Sequence, residues 1–181
     1  MTSEVASVVV RRVTPADGAL LREVRLRALQ DTPEAFSSTY EDEAQRPQPF
    51  WDERARNASA GNNLFSGLAL LADEAVGLIG GFRNDEDGHH ADIDLVSMWV
   101  APSHRGTGVA AALVEAVLDW ARDDAAAEIV GLWVTRGNDR AQRFYERLGF
   151  VETGDVQPLP SDPCRDEVRM VFGLRAPSSA R

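Results

Sequence analysis

Cysteine is almost absent from this sequence, since Cys164 is the single one among 181 residues. An intrachain disulfide is therefore excluded, as is a metal centre held by several thiolates. No apolar run approaches the roughly 18 residues that a membrane-spanning helix requires. The first residues also lack the basic and apolar segments of a signal peptide. These absences predict a cytoplasmic protein with no membrane partner.

Positive charge is scarce as well. Lysine and arginine total 19 residues against 29 aspartates and glutamates, which gives a formal net charge of −10. A phosphate backbone would repel such a chain, so no nucleic-acid partner is expected. An acidic surface suits a cationic substrate such as an amine, although solubility alone explains the acidity of many proteins. With 44% hydrophobic residues, residues 1–175 are expected to form one domain, followed by a flexible tail at 176–181.

Hydrophobic periodicity predicts a single α+β domain in which strands and helices are interleaved. The predicted strands are 7–13, 64–72, 75–83, 93–100, 128–135, 150–156 and 168–174. The predicted helices are one capped within 14–17 and running to about 30, then 35–44, 50–60, 108–123 and 139–148. The second and third strands are expected to form an antiparallel hairpin, and a proline-rich loop is expected between the last two strands.

The most informative segment is a glycine-rich turn between a strand and a helix, Arg105-Gly106-Thr107-Gly108-Val109-Ala110. The first amides of a helix lack an intrahelical acceptor and, together with the helix dipole, favour an anion. Gly106 and Gly108 remove side chains that would keep a phosphate away from those amides, and Arg105 adds a permanent cation. The segment therefore predicts a seat for a diphosphate.

Two other interpretations of this turn stay open. Glycines before a helix can make a tight turn that binds nothing. Residues 106–111 also fit the G-x-G-x-x-A pattern of dinucleotide-binding proteins. That fold expects an acidic residue at the end of the next strand, where this chain has Val134-Thr135-Arg136. The upstream antiparallel strands also fit a doubly wound sheet poorly.

A second segment, residues 138–150, follows the next strand and carries a helix cap, an apolar stripe and a C-terminal glycine. Taken together and in this order, R-G-x-G-x-A and N-x-x-A-x-x-F-Y-x-x-x-G-F resemble the GNAT superfamily of acyl-CoA-dependent N-acetyltransferases. The resemblance runs from about Ser7 to Leu174, with its specific matches at 100–110 and 138–150. It implies a mixed, mostly antiparallel sheet of about seven strands, flanked by helices, whose central strands splay apart.

The resemblance also implies a site for acetyl-CoA as co-substrate, with no metal. The amides of the turn would hold its diphosphate, and the strand before the turn would pair with its pantetheine arm. The expected cofactor-binding residues are Met98, Trp99, Val100, Arg105, Gly106, Thr107, Gly108, Val109, Ala110, Asn138 and Phe144. Tyr145 matches the position usually assigned as general acid, which suits the chemistry because a phenol can protonate a departing thiolate.

The remaining catalytic requirements are an oxyanion donor and a base. A free backbone amide near Met98 to Val100 is expected to serve the oxyanion. Asp94 is the candidate base, because it shares a face with Val96 and Met98 if the strand is regular, whereas a bulge would alter this. A solvated or cap-forming carboxylate, with water as the base, is the alternative. Phe36 and Trp51 are expected to wall the acceptor site.

The leading hypothesis is an N-acetyltransferase that acts on a primary amine of a small molecule. A protein or peptide amine is one alternative, and a CoA-binding regulatory module without turnover is another. An enclosed acidic pocket built from 36–51 and 85–94 would favour the small amine, and a long open groove would favour the peptide. His89 and His90 lack the geometry of metal ligands. The resemblance is also compatible with a homodimer.

Overall fold

The fold consists of seven strands and five α-helices, seen in a computed structural model that describes residues 7–84, 91–160 and 162–174. The strands are β1 (Val8–Arg12), β2 (Leu64–Leu71), β3 (Glu74–Arg83), β4 (Ile93–Val100), β5 (Ile129–Thr135), β6 (Val151–Leu159) and β7 (Asp162–Gly173). The helices are α1 (Gly18–Asp31), α2 (Tyr40–Ala44), α3 (Gln48–Ala58), α4 (Val109–Asp123) and α5 (Asp139–Arg147). Short 3-10 turns lie at Pro33–Ala35 and Pro102–His104. None of the helices in the described ranges is both long and apolar enough to cross a membrane.

All seven strands form one sheet in the order β1-β2-β3-β4-β5-β7-β6. Every neighbouring pair is antiparallel except β4 and β5, which run parallel. These two strands pair only at Ile93 with Val130 and at Asp94 with Gly131. Beyond that point they separate. The predicted fold class, a mixed and mostly antiparallel sheet with splayed central strands, is thus confirmed.

Helices cover both faces of the sheet. On one face α4 packs closely against β3. A Cβ added at Gly81 of β3 would lie only 3.2 Å from the side chains of Trp120 and Val117 on α4. On the other face α1 packs beside β3 and β4, where the Trp99 indole Nε1 donates to Asp31 at 2.8 Å. These contacts fix the end of β4, and therefore the turn that follows it, relative to both helices.

Two predicted elements differ from those observed. The proline-rich loop expected between 156 and 168 is wrong, because β6 extends to Leu159 and β7 begins at Asp162, and the two strands pair as a long hairpin. Pro158 is tolerated because β6 is an edge strand and needs fewer backbone donors. The helix expected at 35–44 is also wrong, since only Tyr40–Ala44 is α-helical. The expected tail at 176–181 lies outside the described residues.

Candidate active site

The turn between β4 and α4 presents backbone amides to open space. Gly106 and Gly108 have φ angles of +81° and +91°, a region that favours glycine. A Cβ added at either position would meet no atom within 4 Å among the described residues. The first hydrogen bond of α4 runs from the Ala112 amide to the Gly108 carbonyl at 3.1 Å. The amides of Val109 to Ala111 therefore have no intrahelical acceptor, and the helix dipole adds to their attraction for an anion.

Arg105 makes contacts that the sequence did not predict. Its Nε donates to the carbonyl of Val100 at 3.0 Å, and its Nη2 forms an ion pair with Asp31. Asp31 in turn accepts the indole hydrogen of Trp99. Arg105 therefore ties the turn to α1, and its charge is shared with a carboxylate. A contact between Arg105 and a phosphate stays a prediction.

A bulge interrupts β4 just before the turn. Leu78 pairs with Trp99 and Gly80 pairs with Val96, so Ser97 and Met98 together face a single residue of β3. Ser97 has a φ of +57°, which is rare for a residue with a side chain. The bulge ends the regular alternation at Val96, and Met98 therefore does not continue the face of Asp94. Such strained positions are retained where the surrounding structure holds them.

The side chain of Ser97 is held by a buried ion pair. Arg25 donates from Nη1 to Ser97 Oγ at 3.0 Å and from Nε to both carboxylate oxygens of Glu43 at 3.1 and 3.3 Å. Burial opposes ionisation of Glu43, but hydrogen bonds from Arg25 and Ser38 outweigh it and lower the pKa of Glu43. Arg25 is 5% exposed, and it also stacks 4.4 Å from the ring centre of Phe36. The pair has no local signature in the sequence, because Arg25 lies on α1 and Glu43 on α2.

Helix α5 supplies the second half of the motif. Asn138 caps it, with Oδ1 accepting the Ala141 amide at 3.1 Å, and its contact with the cofactor stays a prediction. Tyr145 is buried between Phe144 and Phe150, whose ring centres lie at 5.0 and 5.5 Å. Burial raises the pKa of the Tyr145 phenol above its ordinary value. Like an ordinary tyrosine, the phenol is protonated at neutral pH, which is the form a proton donor needs.

A cavity of about 350 Å³ opens where β4 and β5 separate. Phe36 lines it together with Trp133, and the expectation that Phe36 walls the acceptor site stays a prediction. Trp51 does not line it. Its side chain is completely buried, because Trp51, Ala55 and Ala58 form the core-facing stripe of α3. The expectation that Trp51 walls the acceptor site is therefore wrong.

Asp94 also lines the cavity, but its carboxylate has two partners. Arg169 Nη2 lies 2.5 Å from Oδ1 as an ion pair without hydrogen-bond geometry, and Asn84 Nδ2 donates to Oδ2 at 2.9 Å. The guanidinium of Arg169 occupies space left by Gly131, where a Cβ would lie 2.6 Å from Cζ. Asp94 is 7% exposed, so it is neither solvated nor a helix cap. A role for Asp94 as base stays a prediction.

Glu167 is a second carboxylate of the cavity that the sequence analysis missed. It lies on β7 opposite Thr135 of β5 and Gln157 of β6, and all three residues line the cavity. Gln157 Nε2 donates to it at 2.5 Å. Burial raises the pKa of the Glu167 carboxyl, and this effect outweighs the hydrogen bond from Gln157 and the charge of Arg169. The alternation of charged and apolar residues over 167–170 was the available signal.

The other expected features of the pocket are only partly described. Residues 85–90, which include His89 and His90, lie outside the described residues, so an acidic wall at 85–94 is seen only from 91 onward. Within 7–84, 91–160 and 162–174, no three His, Cys, Asp or Glu side chains are grouped closely enough to hold a metal ion.

Comparison with known proteins identifies relatives of this site. Residues 26–150 match the profile of the acetyltransferase (GNAT) family. An uncharacterised N-acetyltransferase of Mycobacterium tuberculosis is 40% identical over 86 residues, or 48% of this chain and 54% of that protein. A mycothiol acetyltransferase of Propionibacterium freudenreichii is 32% identical over 139 residues, or 75% of this chain and 40% of that protein. The chain thus spans about half the length of the curated relatives that it matches.

Solved structures share the fold at lower identity. A GNAT-family acetyltransferase of Streptococcus pneumoniae superposes with a TM-score of 0.77 at 19% identity, over 93% of this chain and 100% of that chain. The Salmonella typhimurium protein yncA, solved with its cofactor acetyl-CoA, gives a TM-score of 0.70 at 18% identity, over 97% and 98% of the two chains. At these identities the likeness establishes the fold.

Proposed function

The chain belongs to the GNAT family of acetyltransferases, and from this premise we propose that it transfers an acetyl group from acetyl-CoA to a primary amine of a small molecule. The transfer is direct, within a complex that holds donor and acceptor together. The observation that carries the proposal is that three features follow one another along β4: the gap between β4 and β5, the cavity at that gap, and the open amide turn after the strand.

The residues of the turn fit a diphosphate. Gly106 and Gly108 leave open space above the amides of residues 106–110, and those at the start of α4 have no intrahelical acceptor. The edge of β4 from Met98 to Val100 would pair with the pantetheine arm, because β5 does not pair with this part of β4. The Asn138 amide at the N-cap of α5 and the Phe144 ring on α5 would contact the same arm from the other side of the gap.

Acetyl-CoA, when bound, supplies an activated thioester. The Tyr145 phenol would protonate the leaving sulfur, since a phenol is protonated at neutral pH and can give its proton to a thiolate. A backbone amide beside the bulge at Ser97 would donate to the developing oxyanion. These donors are fixed by packing, so little reorganisation is needed as charge develops.

The cavity favours a small acceptor. Its volume of about 350 Å³ lies within the range of small-molecule sites, and aromatic side chains such as Phe36 and Trp133 wall it. The relative named mycothiol acetyltransferase supports acetyl transfer by this branch of the family. A peptide acceptor is the second candidate, since one structural neighbour is named a ribosomal-protein-alanine N-acetyltransferase. A homodimer and a cytoplasmic location stay predictions from the sequence.

Two measurements on the full chain test the proposal. Release of the CoA thiol would be followed with acetyl-CoA and a panel of small amines and short peptides, and CoA binding would be measured by calorimetry. We expect CoA to bind and at least one small amine to support turnover. Turnover with peptides alone would reassign the acceptor, and CoA binding without any turnover would favour a regulatory module. Failure of CoA to bind at millimolar concentration would refute the proposal.

A further inference from the structure

We propose that Glu167 receives the ammonium group of the acceptor and takes its proton, a role that rests on the acetyl transfer proposed above. Glu167 lies on β7, outside residues 26–150 that match the GNAT family.

The charges around the cavity single out Glu167. The ionisable side chains among the described lining residues are Arg25, Asp94 and Glu167. Arg25 is already paired with Glu43, and Asp94 is already paired with Arg169. The hydrogen-bond partner of Glu167 is the neutral amide of Gln157. Among the charged side chains of the lining, Glu167 is therefore the one whose hydrogen-bond partner carries no opposite charge. A cationic amine bound beside it would balance its negative charge.

The position of Glu167 matches the expected place of reaction. The last backbone pair between β4 and β5 joins Asp94 to Gly131. Thr135, the β5 partner of Glu167, lies four residues beyond Gly131, which is about 13 Å along a strand. On β4 the bulged residue Ser97 lies three residues beyond Asp94. Measured along the strands from the Asp94–Gly131 pair, the bulge and Glu167 therefore lie at similar distances. Both Ser97 and Glu167 line the cavity.

The environment of Glu167 suits a base. A primary ammonium has a pKa near 10, so an ordinary carboxylate is a weak base toward it. Burial raises the pKa of the Glu167 carboxyl and so narrows the gap between its pKa and that of the ammonium group. The groups that face Glu167 are Thr135 on β5, Gln157 on β6 and Arg169 on β7. Across the cavity lie Arg25 on α1 and Asp94 on β4, both ion-paired.

The protons of the transfer balance. Glu167 takes one proton as an N–H bond of the ammonium breaks, and later releases it to solvent. The free amine forms the new C–N bond to the acetyl carbon as the C–S bond breaks, and the thiolate takes the phenolic proton of Tyr145. The second proton lost by nitrogen restores Tyr145. The net products are the acetamide, the CoA thiol and one proton.

The same charge distribution restricts the acceptor. Among the described lining residues the cation is Arg25, and it is already paired with Glu43. An acceptor molecule that carries a carboxylate would therefore find no unpaired cation in this lining. The other walls include Phe36, Leu159 and Pro160, which are apolar. The cavity therefore suits a monoamine on an apolar body and disfavours a free amino acid.

The variant Glu167→Gln tests the base, with Glu152→Gln as its matched control. Glu152 lies on β6, is exposed, and also accepts from a glutamine amide, Gln142 at 3.0 Å, but it does not line the cavity. With the best amine from the thiol-release screen at pH 7, Glu167→Gln should lower kcat/KM by about 100-fold or more. CoA binding and the melting temperature should match those of Glu152→Gln. Glu167→Asp should recover part of the loss.

The pH profile and one pair of probes complete the test. In the wild type, kcat/KM should fall in acid as Glu167 is protonated, and Glu167→Gln should lack that limb and approach the wild type at high pH, where the amine deprotonates unaided. 2-Phenylethylamine should give at least a tenfold higher kcat/KM than phenylalanine, which adds a carboxylate. If the wild type is active but Glu167→Gln keeps kcat/KM within threefold of it with an unchanged pH profile, the assignment of Glu167 as base is overturned while the proposed function stands. Equal kcat/KM values for the two probes would overturn the restriction on the acceptor. A wild type that binds CoA but acetylates no amine would remove the proposed function as well.

Discussion

Replacing Asp94 by asparagine separates a structural role of this carboxylate from a catalytic one. Arg169 is 2% exposed and Asp94 is 7% exposed, so their charges compensate each other away from water. Gly131 provides the space for the guanidinium and offers no side chain that could accept a hydrogen bond from it. Removal of one partner of such a buried pair costs about 3 to 5 kcal/mol, because the other charge stays buried. For a domain stable by about 5 to 15 kcal/mol, that loss is large.

The double variant Asp94→Asn with Arg169→Met is the informative comparison. It removes both charges, so neither is left buried without its partner, which is the main cost of the single variant. We expect it to recover most of the free energy of unfolding, measured by denaturant titration with tryptophan fluorescence. Its thiol-release rate should stay within tenfold of the wild type, because Glu167 is intact. A double variant that is fully stable but has lost more than 100-fold in turnover would refute this argument and make Asp94 the base.

Three further outcomes are expected. Tyr145→Phe should lower kcat by about 10- to 100-fold and leave the KM for acetyl-CoA nearly unchanged in steady-state kinetics, since only the proton donor is lost; a change confined to KM would contradict this. Gly108→Val should raise the KM for acetyl-CoA at least tenfold, because the side chain covers the amides. Gly154→Val, at the same φ of +91° but on β6, should carry the same backbone strain of about 1 to 2 kcal/mol without the KM effect. The hydrogen bond from Arg11 lowers the pKa of Asp17 to about 2. Its stabilisation is therefore full above about pH 4 and is lost as the pH falls toward 2, and Asp17→Asn should flatten that part of the melting-temperature profile.

Local patterns predicted the elements that build the cofactor side of the site. The expected bounds of β4 are those observed, and the bounds of α4 differ by one residue at its start. Both elements carry strong periodic signals, and the glycines of the turn mark its conformation directly. The role of Tyr145 came from the resemblance of residues 138–150 to the GNAT motif, because the apolar stripe alone would fit most short helices, and that role stays a prediction.

The acceptor side was harder to predict because long-range pairing decides it. Asp94 and Arg169 meet only when β7 is added beside β5, and nothing near either residue in the chain indicates its partner. The prolines at the end of β6 indicated a loop, so the segment that contains Glu167 was not assigned to a strand. The strained φ at Ser97 also has no local signature, because serine rarely adopts it.

The short junction between β4 and β5 bears on how product leaves. Two backbone pairs join these strands, whereas β5 and β7 share seven. The sheet thus consists of two leaves, β1–β4 and β5–β7, connected along a short spine near Ile93. Widening the gap at its open end breaks few sheet hydrogen bonds, so under the proposed function the spent donor would leave by that route, with the cost set by the single hydrophobic core that both leaves share.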